Sequence, residues 1–184
     1  MGWSLGYLPP KEPELLRSFF LVVGKALYLS NAFEAKCKYV LRIAKIVTHY
    51  RRTQDVSATD YLLQTLKDNM LKKTITELKG FPEFKTTDIE LLERAKDARN
   101  FVAHEGANIG DLSVASAKII LEQVDSLRQH IRVITAGDNV VSRWVYEIDE
   151  KEPAPIAIQK EYPDMIDNWL FCGIDELRCE GQRS

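Results

Sequence analysis

The sequence predicts an all-α protein, an up-and-down bundle of four to five helices with a small C-terminal appendage of a β-hairpin and a helix. Apolar residues recur at helical spacing over most of the first 137 positions, and Pro, Gly and capping residues divide them into helix-length segments. The 184 residues are 45% hydrophobic and 28% charged, which suits one sizeable core and argues against disorder. We predict an extension over residues 1–12, the bundle over 13–137 and an acidic appendage over 138–184, packed on the bundle.

The first long helical segment begins after a rigid Leu-Pro-Pro sequence. Pro13 fits the first turn of a helix, and apolar residues recur at helical spacing over residues 15–27. The pattern continues over residues 32–52, and Ser30-Asn31 allow a break between the two parts. The sequence therefore predicts one long helix or two shorter helices here.

Capping signals place the next two helices. Ser57 begins a segment with an amphipathic pattern that ends at Gly80. The capping box from Thr87 to Glu90 begins a helix over about residues 88–105. Both helices have an apolar stripe for the core of the bundle.

The last long helix and the appendage follow. Asp111 or Ser113 caps that helix, and Gly137 ends it. Beyond it, residues 139–148 alternate in polarity and are rich in β-branched side chains, which favours a strand. A second strand over 155–159 would complete the hairpin, and residues 161–172 form a short amphipathic helix.

The segment Ala98-Arg99-Asn100-Phe101-Val102-Ala103-His104-Glu105-Gly106 contains the main candidate site. A guanidinium group matches phosphate geometry, and an imidazole moves protons near neutral pH, so Arg99 and His104 suit phosphodiester chemistry. Asn100 lies one turn before His104 and can orient the imidazole. A structural interpretation stays open, because Arg and His also favour helix C-termini, and Gly106 fits the left-handed position after a helix.

Arg99-Asn100, followed after three residues by His104, resembles the motif of the HEPN superfamily. In that family an arginine precedes a histidine by four to six residues, with Asn, Asp or His favoured directly after the arginine. The family places the motif late in a bundle of four or five helices. The resemblance covers about residues 13–136, and the acidic appendage contributes nothing to it.

The resemblance implies a metal-independent endoribonuclease whose paired motifs line a groove at a homodimer interface. It implies that His104 is the acid or base, that Arg99 binds the scissile phosphate, and that Asn100 orients His104 or the phosphate. The requirement for two chains also follows from chemistry, because one histidine cannot be base and acid in a single step. Other members of the family bind nucleotides, nucleic acid or proteins without cleavage, so a regulatory or binding module is the alternative. A toxin with a cognate antitoxin would be the same enzyme in another role.

Other polar residues could support this site. Glu34 lies in an otherwise basic and apolar stretch and could form an ion pair with Arg99 inside the bundle, and Asp97 belongs either to the site or to the solvated surface. A basic stripe recurs at helical spacing, and its members are Lys38, Arg42, Lys45, His49 and Arg52. Such a stripe is either a solvated face or a track for RNA phosphates. The tail from 147 to 184 has a net charge of −6, which leaves +4 on residues 1–146.

The remaining features limit the function classes. Cys37, Cys172 and Cys179 lack the close spacing of a metal site, so we predict reduced thiols, no metal and no cofactor. No apolar run reaches the roughly 18 to 20 residues of a membrane span. The N-terminus lacks the layout of a secretory signal, and we expect a cytoplasmic protein without membrane association.

Overall fold

The computed structural model describes residues 10–54 and 70–181, and these residues form five α-helices. The helices are α1 (Pro13–Thr53), α2 (Leu71–Leu78), α3 (Thr86–His104), α4 (Ala117–Glu150) and α5 (Ile156–Gly181). The described residues contain no strand. The predicted all-α class is confirmed for this part of the chain, whereas the predicted β-hairpin is wrong.

Helix α1 is continuous over 41 residues. Pro13 occupies its first turn as predicted, and of the two predicted alternatives the single long helix is present, because the helix continues through Ser30-Asn31. The Ser30 hydroxyl donates to the Ala26 carbonyl at 2.8 Å, so this buried side chain is satisfied within the helix. The helix ends at Thr53, and the next residue, Gln54, has a left-handed backbone with φ of 57°. The helix start predicted at Ser57 lies outside the described residues, and α2 is the described part of that segment.

The predicted helix starts are close in position but differ in their caps. Helix α3 begins at Thr86 after an extended Lys85, without a side-chain cap, so the predicted N-cap at Thr87 is wrong. Helix α4 begins after Ser116, whose hydroxyl accepts from the Ile119 N–H. The alternatives Asp111 and Ser113 instead close a turn together before the helix, where the Asp111 carboxylate accepts from the Ser113 N–H at 2.9 Å.

Gly137 lies inside α4 and does not end it, contrary to the prediction. A Cβ atom at this position would lie 2.5 Å from Ala95 Cβ of α3, which is closer than van der Waals contact allows. The glycine therefore permits close approach of α3 and α4, a use that sequence alone does not distinguish from a C-cap. The predicted domain boundary between residues 137 and 138 falls within this helix, and the division into domains stays a prediction.

The predicted strand over residues 139–148 is the last part of α4. Val141 and Trp144, three residues apart, are both buried, and the Trp144 ring packs on Phe84 with ring centres 4.4 Å apart. Burial of this helical face outweighs the local β-propensity of the valines, which depends strongly on tertiary context. The predicted second strand over 155–159 and the predicted short helix over 161–172 are both part of α5.

Consecutive long helices run in alternating directions. Helices α1 and α4 run the same way, as shown by the contacts Lys36–Asp138 and Tyr39–Asp149. Helices α3 and α5 run opposite to α4, as shown by the contacts Asp88–Arg143, Glu105–Gln123, Asp125–Arg178 and Gln159–Asn139. Short α2 lies beside α1, because Glu77 contacts Lys45. The four long helices thus form an up-down-up-down arrangement around one apolar core.

A buried carboxylate joins α5 to the bundle. Asp138 is fully buried and accepts from Lys36 Nζ at 2.8 Å and from the Tyr162 hydroxyl. Burial and the neighbouring Asp138 charge raise the pKa of Tyr162 above its ordinary value. Arg128 adds a cation–π contact to Phe171 at 4.3 Å from the ring centre. None of the described helices contains a stretch long and apolar enough to span a membrane.

Candidate functional site

The motif occupies the last two turns of α3. Ala98 and Val102 are buried against the core, whereas Asn100 and His104 are exposed and Arg99 is partly exposed. His104 is the last residue of the helix, as the sequence predicts. The buried stripe therefore fixes the motif helix on the bundle and turns its polar residues outward.

Several contacts hold the end of α3 beside His104. The Gln123 side-chain amide of α4 donates to the carbonyls of Glu105 and Gly106 at 2.9 and 3.2 Å. Gly106 does not adopt the predicted left-handed conformation. A Cβ atom on Gly106 would instead lie 2.6 Å from the Val102 carbonyl, so close approach is the reason for this glycine.

An aromatic stack supports the motif helix from the α4 side. The rings of Phe101 and His130 are stacked with centres 3.7 Å apart and planes 7° apart. His130 Nδ1 lies 2.8 Å from the Ser126 carbonyl. His130 does not line the cavity that contains His104.

The predicted ion pair between Glu34 and Arg99 is present. Arg99 Nη2 lies 2.8 Å from Glu34 Oε2, and the two side chains are 23% and 18% exposed. The other oxygen of Glu34 lies 2.7 Å from Lys38 Nζ. One carboxylate thus links α1 to the motif helix and partly neutralises two cations.

Arg99, Asn100 and His104 line one open cavity of about 550 Å³. The cavity lies between α1, the start of α2 and the last turns of α3. Its other lining residues are Glu34, Met70, Leu71, Lys72, Lys96 and Asp97. Three permanent cations and two carboxylates give it a small positive excess, which favours an anionic ligand.

The structure adds two lysines to the candidate site. Lys96 lines the cavity and lies 3.2 Å from the Asp97 carboxylate, so Asp97 faces this lysine and solvent. Lys72 reaches the cavity from α2. The sequence gives no signal for Lys72, because the position of this side chain depends on how α2 packs against α3.

The basic stripe of α1 divides into residues with different surroundings. Lys38 is paired with Glu34, and Lys45 is paired with Glu77 of α2. Arg42 Nε is shielded from solvent without a hydrogen-bond partner among the described residues. Arg52 is exposed and lines a smaller cavity together with Lys45. Two of the predicted phosphate-binding cations therefore have carboxylate partners.

A different cavity, of about 460 Å³, lies between α1, α4 and the start of α3. Its apolar floor includes Val40 and Trp144, and ion pairs lie at its rim, such as Arg143–Asp88 at 2.6 Å. None of the motif residues lines it. Its paired charges and its distance from the motif along α3 separate it from the candidate site.

Within residues 10–54 and 70–181, no group of three or more His, Cys, Asp or Glu side chains could hold a metal ion. Comparison of the chain with protein-family models, curated proteins and solved structures finds no match. The expected place of the motif late in the bundle is wrong for the described residues, because the two long helices α4 and α5 follow it. The HEPN resemblance consequently rests on the motif and the all-helical fold, and it stays a prediction.

Proposed function

We propose that the protein is a metal-independent endoribonuclease whose active site is completed by a second copy of the chain. The observation that carries the proposal is the convergence of Arg99, Asn100 and His104 on one open cavity with a positive excess. These are the residues of the HEPN-like motif. Their groups suit phosphate binding and proton transfer near neutral pH.

The reaction uses the 2′-hydroxyl of the RNA as its nucleophile. One His104 accepts the 2′-hydroxyl proton while the 2′-oxygen forms a bond to phosphorus. The bond from phosphorus to the 5′-oxygen breaks, and the partner subunit's His104 donates a proton to that oxygen. Arg99 stabilises the charge on the non-bridging oxygens, and Asn100 orients His104. The products are a 2′,3′-cyclic phosphate and a 5′-hydroxyl.

The carboxylates of the cavity do not replace the second histidine in this proposal. Both carboxylate oxygens of Glu34 are occupied, one by Arg99 and the other by Lys38. Asp97 is paired with Lys96 and is directed to solvent. Both therefore support the site by placing cations. Two copies related by a twofold axis bring two imidazoles into one cleft.

RNA cleavage in excess EDTA tests the proposal. We expect the parent protein to cleave mixed RNA, and we expect His104→Ala and Arg99→Ala to lose about 10² to 10⁴-fold in rate. Arg94→Ala is the matched control, because Arg94 is exposed on the same helix outside the cavity. Cleavage that needs added metal, or that persists in both motif variants, would contradict the proposal. A toxin with an antitoxin partner, or a defence nuclease, would use the same chemistry.

The ion pair of Arg99 favours a second candidate, a non-catalytic module that binds RNA or nucleotides or assembles with a regulatory partner. In that case the Glu34–Arg99 pair is structural, and the cavity binds a phosphate without turnover. Retained RNA binding without cleavage by the parent protein would support this candidate over the nuclease.

A further inference from the structure

A small basic cavity lies on the side of α1 that faces the segment after α2. Its volume is about 220 Å³, and its lining residues are Lys45, Thr48, His49, Arg52 and Phe81. Three basic side chains, a hydroxyl and an aromatic ring line it, and no carboxylate does. A volume below the roughly 300 to 1,000 Å³ of small-molecule pockets suits part of a polymer better than a whole ligand.

Arg52 and His49 Nε2 have no ion-pair or hydrogen-bond partner in the part of the chain that the structure describes. Lys45 is paired with Glu77, but Arg52 has no ion pair among the described residues. His49 Nε2 is shielded from solvent and has no hydrogen-bond partner among them. A shielded polar nitrogen without a partner costs free energy, which an incoming acceptor would recover.

The small basic cavity and the motif cavity are both lined by residues of α1. Glu34, which lines the motif cavity, and His49 lie on the same stripe of α1, and the rise of 1.5 Å per residue separates them by about 22 Å. Helix α2 runs beside α1 over this interval, with Leu71 at the motif cavity and Glu77 at Lys45. Both cavities are therefore lined by α1, and the segment from Leu71 to Phe81 extends from one to the other.

We propose that this cavity is a second subsite for single-stranded RNA, at a fixed distance from the scissile phosphate. His49 and Arg52 bind a backbone phosphate, and Phe81 stacks on an unpaired base. At a stacked spacing of about 3.4 Å per nucleotide, the strand needs about six or seven nucleotides to reach both cavities. The inference rests on the proposed function, because it takes the motif cavity as the cleavage site.

The test measures the affinity of fluorescein-labelled oligouridylates of three and twelve nucleotides. It uses the His104→Ala background, which prevents cleavage during titration. We expect Arg52→Gln to weaken dodecamer binding about threefold and to reduce the salt slope by about 0.7. We expect Phe81→Leu to weaken it about fivefold or more by loss of stacking. Trimer affinity should fall less than dodecamer affinity, because a trimer reaches only one of the two cavities at a time.

Arg51→Gln is the matched control for Arg52→Gln. Arg51 is the neighbouring residue and carries the same charge. It lines the cavity of about 460 Å³ between α1, α4 and the start of α3, and it pairs with Glu83 at 3.2 Å. Equal losses from both substitutions, or equal losses with the trimer, would mean general electrostatic attraction and would overturn the subsite. An unchanged dodecamer affinity in Phe81→Leu and His49→Gln would overturn it as well.

The two proposals fail in distinguishable ways. If the parent protein does not cleave RNA but dodecamer binding depends on Arg52 and Phe81, the subsite stands and the nuclease is wrong. If the parent cleaves RNA but the substitutions leave dodecamer affinity unchanged, the nuclease stands and the subsite is wrong. A fully paired duplex that binds as tightly as the single strand would also contradict the stacking role of Phe81.

Discussion

Glu34 of α1 and Arg99 of the motif helix form an ion pair at 2.8 Å across the bundle. The two residues are 65 positions apart in the chain, so this contact exists only when α1 and α3 pack together. It orients the guanidinium at the edge of the cavity that contains Asn100 and His104. Packing of the bundle and geometry of the candidate site are therefore coupled through one carboxylate.

The coupling between Glu34 and Arg99 is measurable as a free energy. We expect Glu34→Gln to lower the free energy of unfolding by about 1 kcal/mol, because Arg99 and Lys38 lose their shared partner while remaining partly exposed. A double-mutant cycle with Arg99→Gln, measured by urea unfolding, should give a coupling of about 0.5 to 1 kcal/mol. A cycle of Glu34→Gln with Arg94→Gln is the control and should give a coupling near zero. Equal couplings would show that the pair is not specific.

The close approach of α3 and α4 depends on Gly137. We expect Gly137→Ala to destabilise the protein by about 1 to 3 kcal/mol, because the added methyl group would lie 2.5 Å from Ala95 Cβ. Gly24→Ala is the matched control, since Gly24 lies inside α1 with no atom near its missing Cβ. That change should stabilise by up to about 1 kcal/mol through helix propensity. Loss of stability in both variants would contradict the packing account.

The helical bundle and the end of the motif helix at His104 could be predicted from apolar periodicity and capping residues. The Glu34–Arg99 contact could also be predicted, because a lone carboxylate in a basic and apolar helix needs a cationic partner. The helical structure at the end of α4 could not be predicted from the sequence. Its valines favour a strand locally, and only the burial of Val141 and Trp144 against the bundle makes this segment helical.

The role of Gly137 could not be predicted from local sequence either. A glycine after a long amphipathic pattern reads as a helix end, and the opposing Ala95 is not visible from local sequence. The contribution of Lys72 to the motif cavity and of Phe81 to the smaller cavity likewise arises from packing between distant segments. Local propensity predicts helices, whereas the lining of each cavity depends on tertiary contacts.

The contact between Tyr162 and Asp138 predicts a loss of stability at alkaline pH. Burial and the Asp138 charge raise the pKa of Tyr162 in the folded state above the value of about 10 in the unfolded chain. The unfolded state therefore loses this proton first as the pH rises above 10. The free energy of unfolding then falls with pH, by less than about 1.4 kcal/mol per unit because the partly exposed phenol is screened.

Urea unfolding at pH 8 and pH 11 tests this dependence. We expect a smaller decrease between the two pH values in Tyr162→Phe than in the parent protein, because the variant lacks the titrating hydroxyl. Tyr39→Phe is the control, since Tyr39 donates to Asp149 at an exposed position and its removal should change the decrease less. An identical decrease in the parent and in Tyr162→Phe would show that this pH dependence does not arise from Tyr162.

The activity of randomly mixed subunits tests the shared active site most directly. Parent and His104→Ala chains are refolded together at several ratios, and RNA cleavage in EDTA is measured at constant total protein. If each site needs His104 from both chains, activity falls as the square of the parent fraction and is about a quarter of the maximum at equal amounts. A linear fall to about half would show that each chain cleaves RNA alone, and no cleavage by the parent protein would contradict the nuclease itself.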